Sequence, residues 1–120
     1  MSTTLFDKYG GVPVVTEIVR DFYKRILKRP NLRRYFEGVS MEHLIQHQIA
    51  FVSLAMGKTP EHYLGRNMKQ AHRGVGITSA SFDLVMEILG DSLRAYEITE
   101  DDIEIIVGNI KRFKRDIVER

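Results

Sequence analysis

Residues 12–27 read VPVVTEIVRDFYKRIL, and the spacing of their apolar side chains decides the fold class. Apolar types fall at Val12, Val15, Ile18, Val19, Phe22, Tyr23, Ile26 and Leu27, in steps of three and four. That is one face of an α-helix, whose period is 3.6 residues. Gly10-Gly11 breaks the chain before the run, and Pro13 suits a first helical turn, where a missing N–H costs nothing. Pro30 ends the run or starts a short turn, because the residue before a proline is pushed out of the helical region.

The same period continues outward. Ser40 is a reasonable N-cap for a helix with Met41, Leu44, Ile45, Gln48, Val52, Ala55 and Met56 on one face, stopped by Gly57 to Pro60. Between Glu61 and Ile77 the pattern loosens around Gly65, Gly74 and Gly76; it reads as loop, a short helix through Met68 to His72, and a turn. Thr78 or Ser79 caps the next helix, whose face carries Phe82, Val85, Met86, Leu89, Leu93 and Tyr96. Thr99 with Asp102 resembles a capping box and opens a last helix with Ile103, Ile106, Val107, Ile110, Phe113 and Ile117 inside. No comparable segment alternates with period two, and no repeat or linker interrupts the pattern. The expectation is one all-α domain over residues 1–120.

Composition excludes more than it selects. At 120 residues there is room for one core, and 43% apolar with 28% charged residues is a globular balance. No apolar run approaches the roughly 20 residues of a membrane span. Residues 1–10 show no charged-then-apolar leader. The absence of cysteine rules out disulfides, thiolate metal sites and cysteine nucleophiles. The expectation is a cytoplasmic monomer that engages neither membrane nor nucleic acid. The basic run Lys111-Arg112-Phe113-Lys114-Arg115 reads as the solvated side of the last helix, and a net charge of +2 demands no polyanion.

The residues that break the rule of their own face carry the chemistry. Gln48 and Tyr23 lie on inward faces, and a buried polar group without a partner costs about 1–3 kcal/mol. Either they bond to each other in the core, or both point into a pocket and meet a polar ligand atom. His72 ends its short segment, as a cation at the negative end of a helix dipole or as an imidazole of the kind that holds a haem iron. His43 and His47, four apart, are an exposed pair or a chelating one; His62 is a loop histidine. Motifs for zinc proteases, serine hydrolases and phosphate or dinucleotide binding are missing, as is an isolated carboxylate pair.

Taken in order, several short motifs resemble the group I truncated haemoglobins, short globins with a two-over-two helical sandwich around a haem. They are Leu5-Phe6-Asp7-Lys8-Tyr9-Gly10-Gly11, Asp21-Phe22-Tyr23, Tyr35-Phe36-Glu37-Gly38, His47-Gln48 with Phe51, Met68-Lys69-Gln70-Ala71-His72, and Gly76-Ile77-Thr78 with Phe82. The resemblance implies haem b and the binding of O₂, NO and CO. It makes His72 the proximal iron ligand, Phe36 the aromatic wedged against the porphyrin, and Tyr23 with Gln48 the distal pair that hydrogen-bonds the gas. Leu44 then stands where longer globins place a distal histidine. His47 follows one turn later, as in members whose histidine there can itself bind iron. Met41, Met68, Ile77, Phe82, Val85 and Ile106 are porphyrin neighbours by position, and Arg66 and Lys69 candidates for the propionates.

There are two departures from the family pattern. Gly57-Lys58 replaces the usual Gly-Gly, which implies a small loop adjustment. Lys111, Arg112 and Phe113 stand where some members attach haem through a histidine, so attachment is expected to be non-covalent. The implied roles are O₂ storage or sensing, or NO dioxygenation with an outside electron donor, to which exposed Lys and Arg offer a docking surface. The alternative is a six-coordinate, bis-His haem protein for electron transfer or redox sensing, with His47 on the iron. A cofactor-free helical interaction module is the third reading.

Overall fold

The computed structural model describes residues 4–57 and 76–118. Its helices are α1 (Leu5–Lys8), α2 (Val12–Leu27), α3 (Pro30–Arg33), a single 3₁₀ turn (Arg34–Phe36), α4 (Met41–Ala55), α5 (Ser79–Ala95), α6 (Glu100–Lys111) and α7 (Lys114–Ile117). Among the described residues every regular element is helical, as the periodicity predicts. The short helix expected at Met68–His72 lies outside them.

Two pairs of helices build the core. α2 packs on α4, α5 packs on α6, and the pairs meet through α2 against α5 and α4 against α6. This is the two-over-two arrangement. The stripe of α2 is buried at Val15, Ile18, Val19, Phe22, Tyr23 and Ile26, while Val12 at its start is 46% exposed and falls off the edge of the core. Each fully buried side chain of this size removes enough apolar surface from water to contribute about 1.5–3 kcal/mol. Sequence spacing and packing thus agree from Val15 to Ile26.

The entry to α2 requires glycine. Gly10 sits at φ +110°, and a Cβ built there would lie 2.7 Å from Val14 Cγ2; Gly11, the N-cap, has φ +72°. Side chains disfavour both conformations, so the pair lets the chain turn sharply into the helix. Pro13 occupies the first turn as expected.

The caps show where local reading succeeds and where tertiary contacts intervene. Thr78 accepts from the N–H of Ser81 at 3.0 Å and Thr99 from that of Asp102 at 3.3 Å. Ser40 precedes α4 but its side chain makes no capping bond. At Thr99 the reciprocal half of the box goes elsewhere: the Thr99 N–H donates to the Tyr9 hydroxyl oxygen at 3.3 Å. The Asp102 carboxylate instead accepts from Lys8 Nζ at 2.8 Å and from the Tyr9 hydroxyl at 2.5 Å. The reason is α1, an extra turn that Thr4 caps and that the Phe6 N–H ties to the Met56 carbonyl at 2.9 Å. It lays Lys8 and Tyr9 over the start of α6.

The last helix also differs from the expected single rod. It breaks at Arg112-Phe113, where the Phe113 ring packs edge-on against Phe51 with centroids 5.3 Å apart, and α7 continues to Ile117. No glycine or proline marks that break; an aromatic seeking a partner makes it.

Candidate functional site

A cavity of about 220 Å³ opens between the helix pairs. α2 contributes Phe22, Tyr23 and Ile26; α3 and the 3₁₀ turn contribute Leu32, Tyr35 and Phe36; α4 contributes Leu44, Gln48, Phe51 and Val52. The other side is built by Ile77, Ser81, Phe82, Val85, Met86 and Leu89, with Ile110 and Ile117 behind. The wall is mostly apolar, with few polar groups in it. That is the pattern of a small-molecule or cofactor site.

Tyr23 is the principal polar group. Its side chain is 5% exposed, and its ring is held by Phe22, tilted at 4.9 Å, and by Phe36, edge-on at 5.8 Å. Among the described residues its hydroxyl has no hydrogen-bond partner, so the Tyr23–Gln48 core bond is not made. Burial pushes the phenol pKa well above its ordinary value, which keeps it neutral and a donor. Gln48 lines the same cavity one helical turn after Leu44. A ring held by two aromatic neighbours and a hydroxyl without a partner among the described residues offer the cavity a donor.

The structure brings together Tyr23, Phe36, Leu44, Gln48, Ile77, Phe82 and Val85 on one wall or another, all of them residues expected from sequence. It does not bring in three others. Met41 is half-buried and packs against the core beside the cavity. Ile106 is fully buried in helix packing, and the residue of α6 that reaches the cavity is Ile110, one turn later on the same face. His47 is exposed, about 100° around α4 from Gln48, with its ring stacked on His43 at 6.1 Å. Arg66, Met68, Lys69 and His72 lie outside the described residues.

Sequence reasoning missed Tyr35 and Ser81. Their hydroxyls share a hydrogen bond of 3.1 Å across the cavity wall, joining the 3₁₀ turn to the start of α5. The bond from Ser81 lowers the Tyr35 pKa from its ordinary value. Tyr35 stood inside a quoted motif, but nothing local marks a partner 46 residues away.

A planar, mostly apolar group carrying a small polar ligand suits this chamber: hydrocarbon meets the walls, and the Tyr23 phenol with its neighbouring amide meets the ligand. Haem has that chemistry, and the residues present fit it.

Comparison with known proteins agrees. The family profile described as bacterial-like globin matches residues 4–119. The group 1 truncated haemoglobin of Tetrahymena thermophila is 31% identical over 113 residues, covering 94% of this chain and 93% of that one. That of Synechocystis is 34% identical over 122 residues, covering 97% and 98%. Among solved structures, the Fe(III) form of truncated haemoglobin from Tetrahymena pyriformis superposes with a TM-score of 0.87 at 28% identity, covering 98% of this chain and all of that one. The Synechococcus 2/2 haemoglobin with covalently attached haem gives 0.80 at 27% identity, with the same coverage. The chain belongs to the bacterial-like globins as a group 1 truncated haemoglobin, and with that family come a haem cofactor and the binding of diatomic gases such as O₂.

Proposed function

We propose that residues 1–120 form one globin domain holding haem b non-covalently through His72, with Tyr23 and Gln48 as the donors that retain the gas ligand. When bound, the haem supplies an iron centre that takes O₂, NO or CO. The chain supplies the rest. The observation that carries this reading is the Tyr23 hydroxyl, without a hydrogen-bond partner among the described residues, beside Gln48 in a mostly apolar cavity. A neutral donor fixed in a dry pocket favours a ligand that accepts a hydrogen bond, because no water competes for it. Leu44 keeps the approach apolar.

Non-covalent attachment is supported by the histidine inventory. The chain has four histidines, at 43, 47, 62 and 72, and none in its last 48 residues. Phe36, Ile77, Phe82 and Val85 take the roles of porphyrin neighbours, with Met41, Met68 and Ile106 in supporting positions and Arg66 and Lys69 toward the propionates. Strong retention of O₂ suits storage, sensing or NO dioxygenation in a reducing cytoplasm better than bulk transport. A dioxygenation cycle draws its electrons from a partner protein, since no flavin or nicotinamide motif is present.

The outward position of His47 favours an iron site left open at rest over the six-coordinate alternative. Optical spectra test both statements. Purified protein should show a Soret band, lose it in His72→Gly and regain it with added imidazole. His47→Ala should leave the ferrous and ferric spectra unchanged. Absence of a Soret band after expression with sufficient haem overturns the haem reading, and a changed His47→Ala spectrum overturns the open site.

A further inference from the structure

The charge of this chain is unevenly placed. Its net +2 hides a stretch, residues 22–36, with six cations and no acid: Lys24, Arg25, Lys28, Arg29, Arg33 and Arg34. Arg25 pairs with Asp21 at 2.7 Å. The other five are exposed and, among the described residues, have no ion-pair partner; Arg34 lies over the Tyr35 ring at 5.2 Å and interacts with its hydroxyl. Compensation of helix dipoles accounts for Lys24 and Arg25 in the last turn of α2, Lys28 at its C-cap and Arg33 at the end of α3, yet it does not require so many cations on one surface with a single acid paired among them. Acids gather elsewhere. An open groove along the outside of α5 and α6 is lined by Asp83, Glu87, Asp91, Glu100 and Glu104 together with Arg94 and Lys111, and there Arg94 pairs with Asp91 and Glu100, and Lys114 with Asp83. Acids on that face are largely paired, whereas among the described residues the cations of residues 24–34 other than Arg25 are not.

The basic end is also the outer skin of the cavity. Ile26, Leu32, Tyr35 and Phe36 line the cavity from the same stretch whose cations are exposed, so this end forms part of the cavity wall. We propose that this end, formed by the last turn of α2, α3 and the 3₁₀ turn, is the docking surface for a small acidic one-electron carrier protein. This rests on the haem reading above. The carrier gives up one electron and the ferric iron takes it to become ferrous; no bond forms or breaks. Complementary charge steers such a partner to this end. Among the described residues the large exposed apolar side chains are Val12, Val39 and Ile105, all outside residues 24–34, so that stretch presents no large exposed apolar side chain to a lipid surface.

Binding tests the proposal directly. The ferric holoprotein is titrated calorimetrically with an oxidised plant-type [2Fe–2S] ferredoxin and, separately, with a flavodoxin. Affinity for at least one should fall about ten-fold between about 20 and about 200 mM ionic strength, because exposed charges are screened over that range. Lys28→Glu/Arg29→Glu/Arg33→Glu should weaken binding about ten-fold or more at low salt. The control Lys111→Glu/Arg112→Glu/Arg115→Glu changes net charge equally and should stay within about three-fold. Milder glutamine versions of the first variant give an intermediate loss if the charged version folds poorly. The rate of ferric haem reduction by the reduced carrier should follow the same order.

Equal loss in both triple variants, salt-independent binding, or no binding to either carrier overturns the proposal. So does binding confined to phosphatidylserine vesicles. A wild type that shows its Soret band but fails these tests loses the docking surface alone; one without a Soret band loses the haem reading.

Discussion

Tyr23→Phe removes a single oxygen from the cavity and leaves its frame intact. The contacts of the ring with Phe22 and Phe36 involve the aromatic body and survive the change. Among the described residues the hydroxyl has no partner without a gas ligand, so its removal breaks no core hydrogen bond. The variant without gas should be as stable as wild type or more so. With O₂ present the hydroxyl becomes a donor to a charged-leaning acceptor, an interaction worth ~1.5 kcal/mol or more. Losing it should raise the O₂ dissociation rate about ten-fold. CO is a poorer acceptor, and its release should change by less than about three-fold. Stopped-flow displacement of O₂ by CO reads the rate, and a thermal melt reads stability. Because burial raises the Tyr23 pKa, the wild-type rate should also stay flat as pH climbs toward the ordinary phenol range near 10. An unchanged O₂ rate refutes the distal role. A melting point lowered by about 4–8 °C, equivalent to about 1 kcal/mol, refutes the partnerless hydroxyl, since only a lost core bond would cost that much.

Other consequences are separable. Gln48→Leu should raise O₂ release several-fold, and combined with Tyr23→Phe should give less than the product of the two effects, because neighbouring donors on one ligand couple. Ile106→Ala should cost about 2–5 kcal/mol of stability in a denaturant titration, as a large-to-small change in packed core, while moving the Soret band little; a large spectral shift would return Ile106 to the cavity. Asp102 is held below the usual carboxylate range by the hydrogen bonds of Lys8 and then Tyr9. A depressed folded-state pKa stabilises above the unfolded value near 3.9 and loses that contribution as pH falls through the folded value. The melting-point advantage of wild type over Asp102→Asn should therefore be full at pH 7 and shrink below about pH 4; a constant gap would detach Asp102 from the strap made by α1.

What could be read from sequence divides along the range of the interaction. The α2 stripe, the glycine entry and the Thr78 and Thr99 caps depend on neighbours within four residues, and all are found where spacing puts them. Helix class and the inward faces of Tyr23, Leu44 and Gln48 follow for the same reason. Features set by distant contacts were not legible. Ile106 and Ile110 share one face, and only the tilt of α6 against the other helices decides which reaches the cavity. The break at Arg112-Phe113 depends on Phe51, and the Tyr35–Ser81 bond joins elements that nothing in the local pattern pairs. Thr99 and Asp102 are sharper still. The residues of a capping box are present, yet Lys8 and Tyr9 take over the Asp102 carboxylate because a carboxylate gains more from a cation and a phenol than from a backbone N–H.

The cavity itself sets a final consequence. At about 24 cal/mol per Å³, a hollow of about 220 Å³ costs on the order of 5 kcal/mol in lost packing. A domain of this size has only about 5–15 kcal/mol to lose. The side chains around the hollow, Phe22, Ile26, Phe51, Phe82 and Leu89 among them, are large and packed into the core. An insert that fills the space recovers that packing and also binds only the folded chain, so it stabilises by mass action as well. The apoprotein should therefore be marginal, melting well below the haem-loaded form. Differential scanning calorimetry on both forms, with haem removed by acid extraction and then restored, measures the gap. Apo and reconstituted forms melting within about 2 °C of each other would mean that haem contributes little to packing here, and that the cavity is a surface cleft which the fold tolerates at little cost.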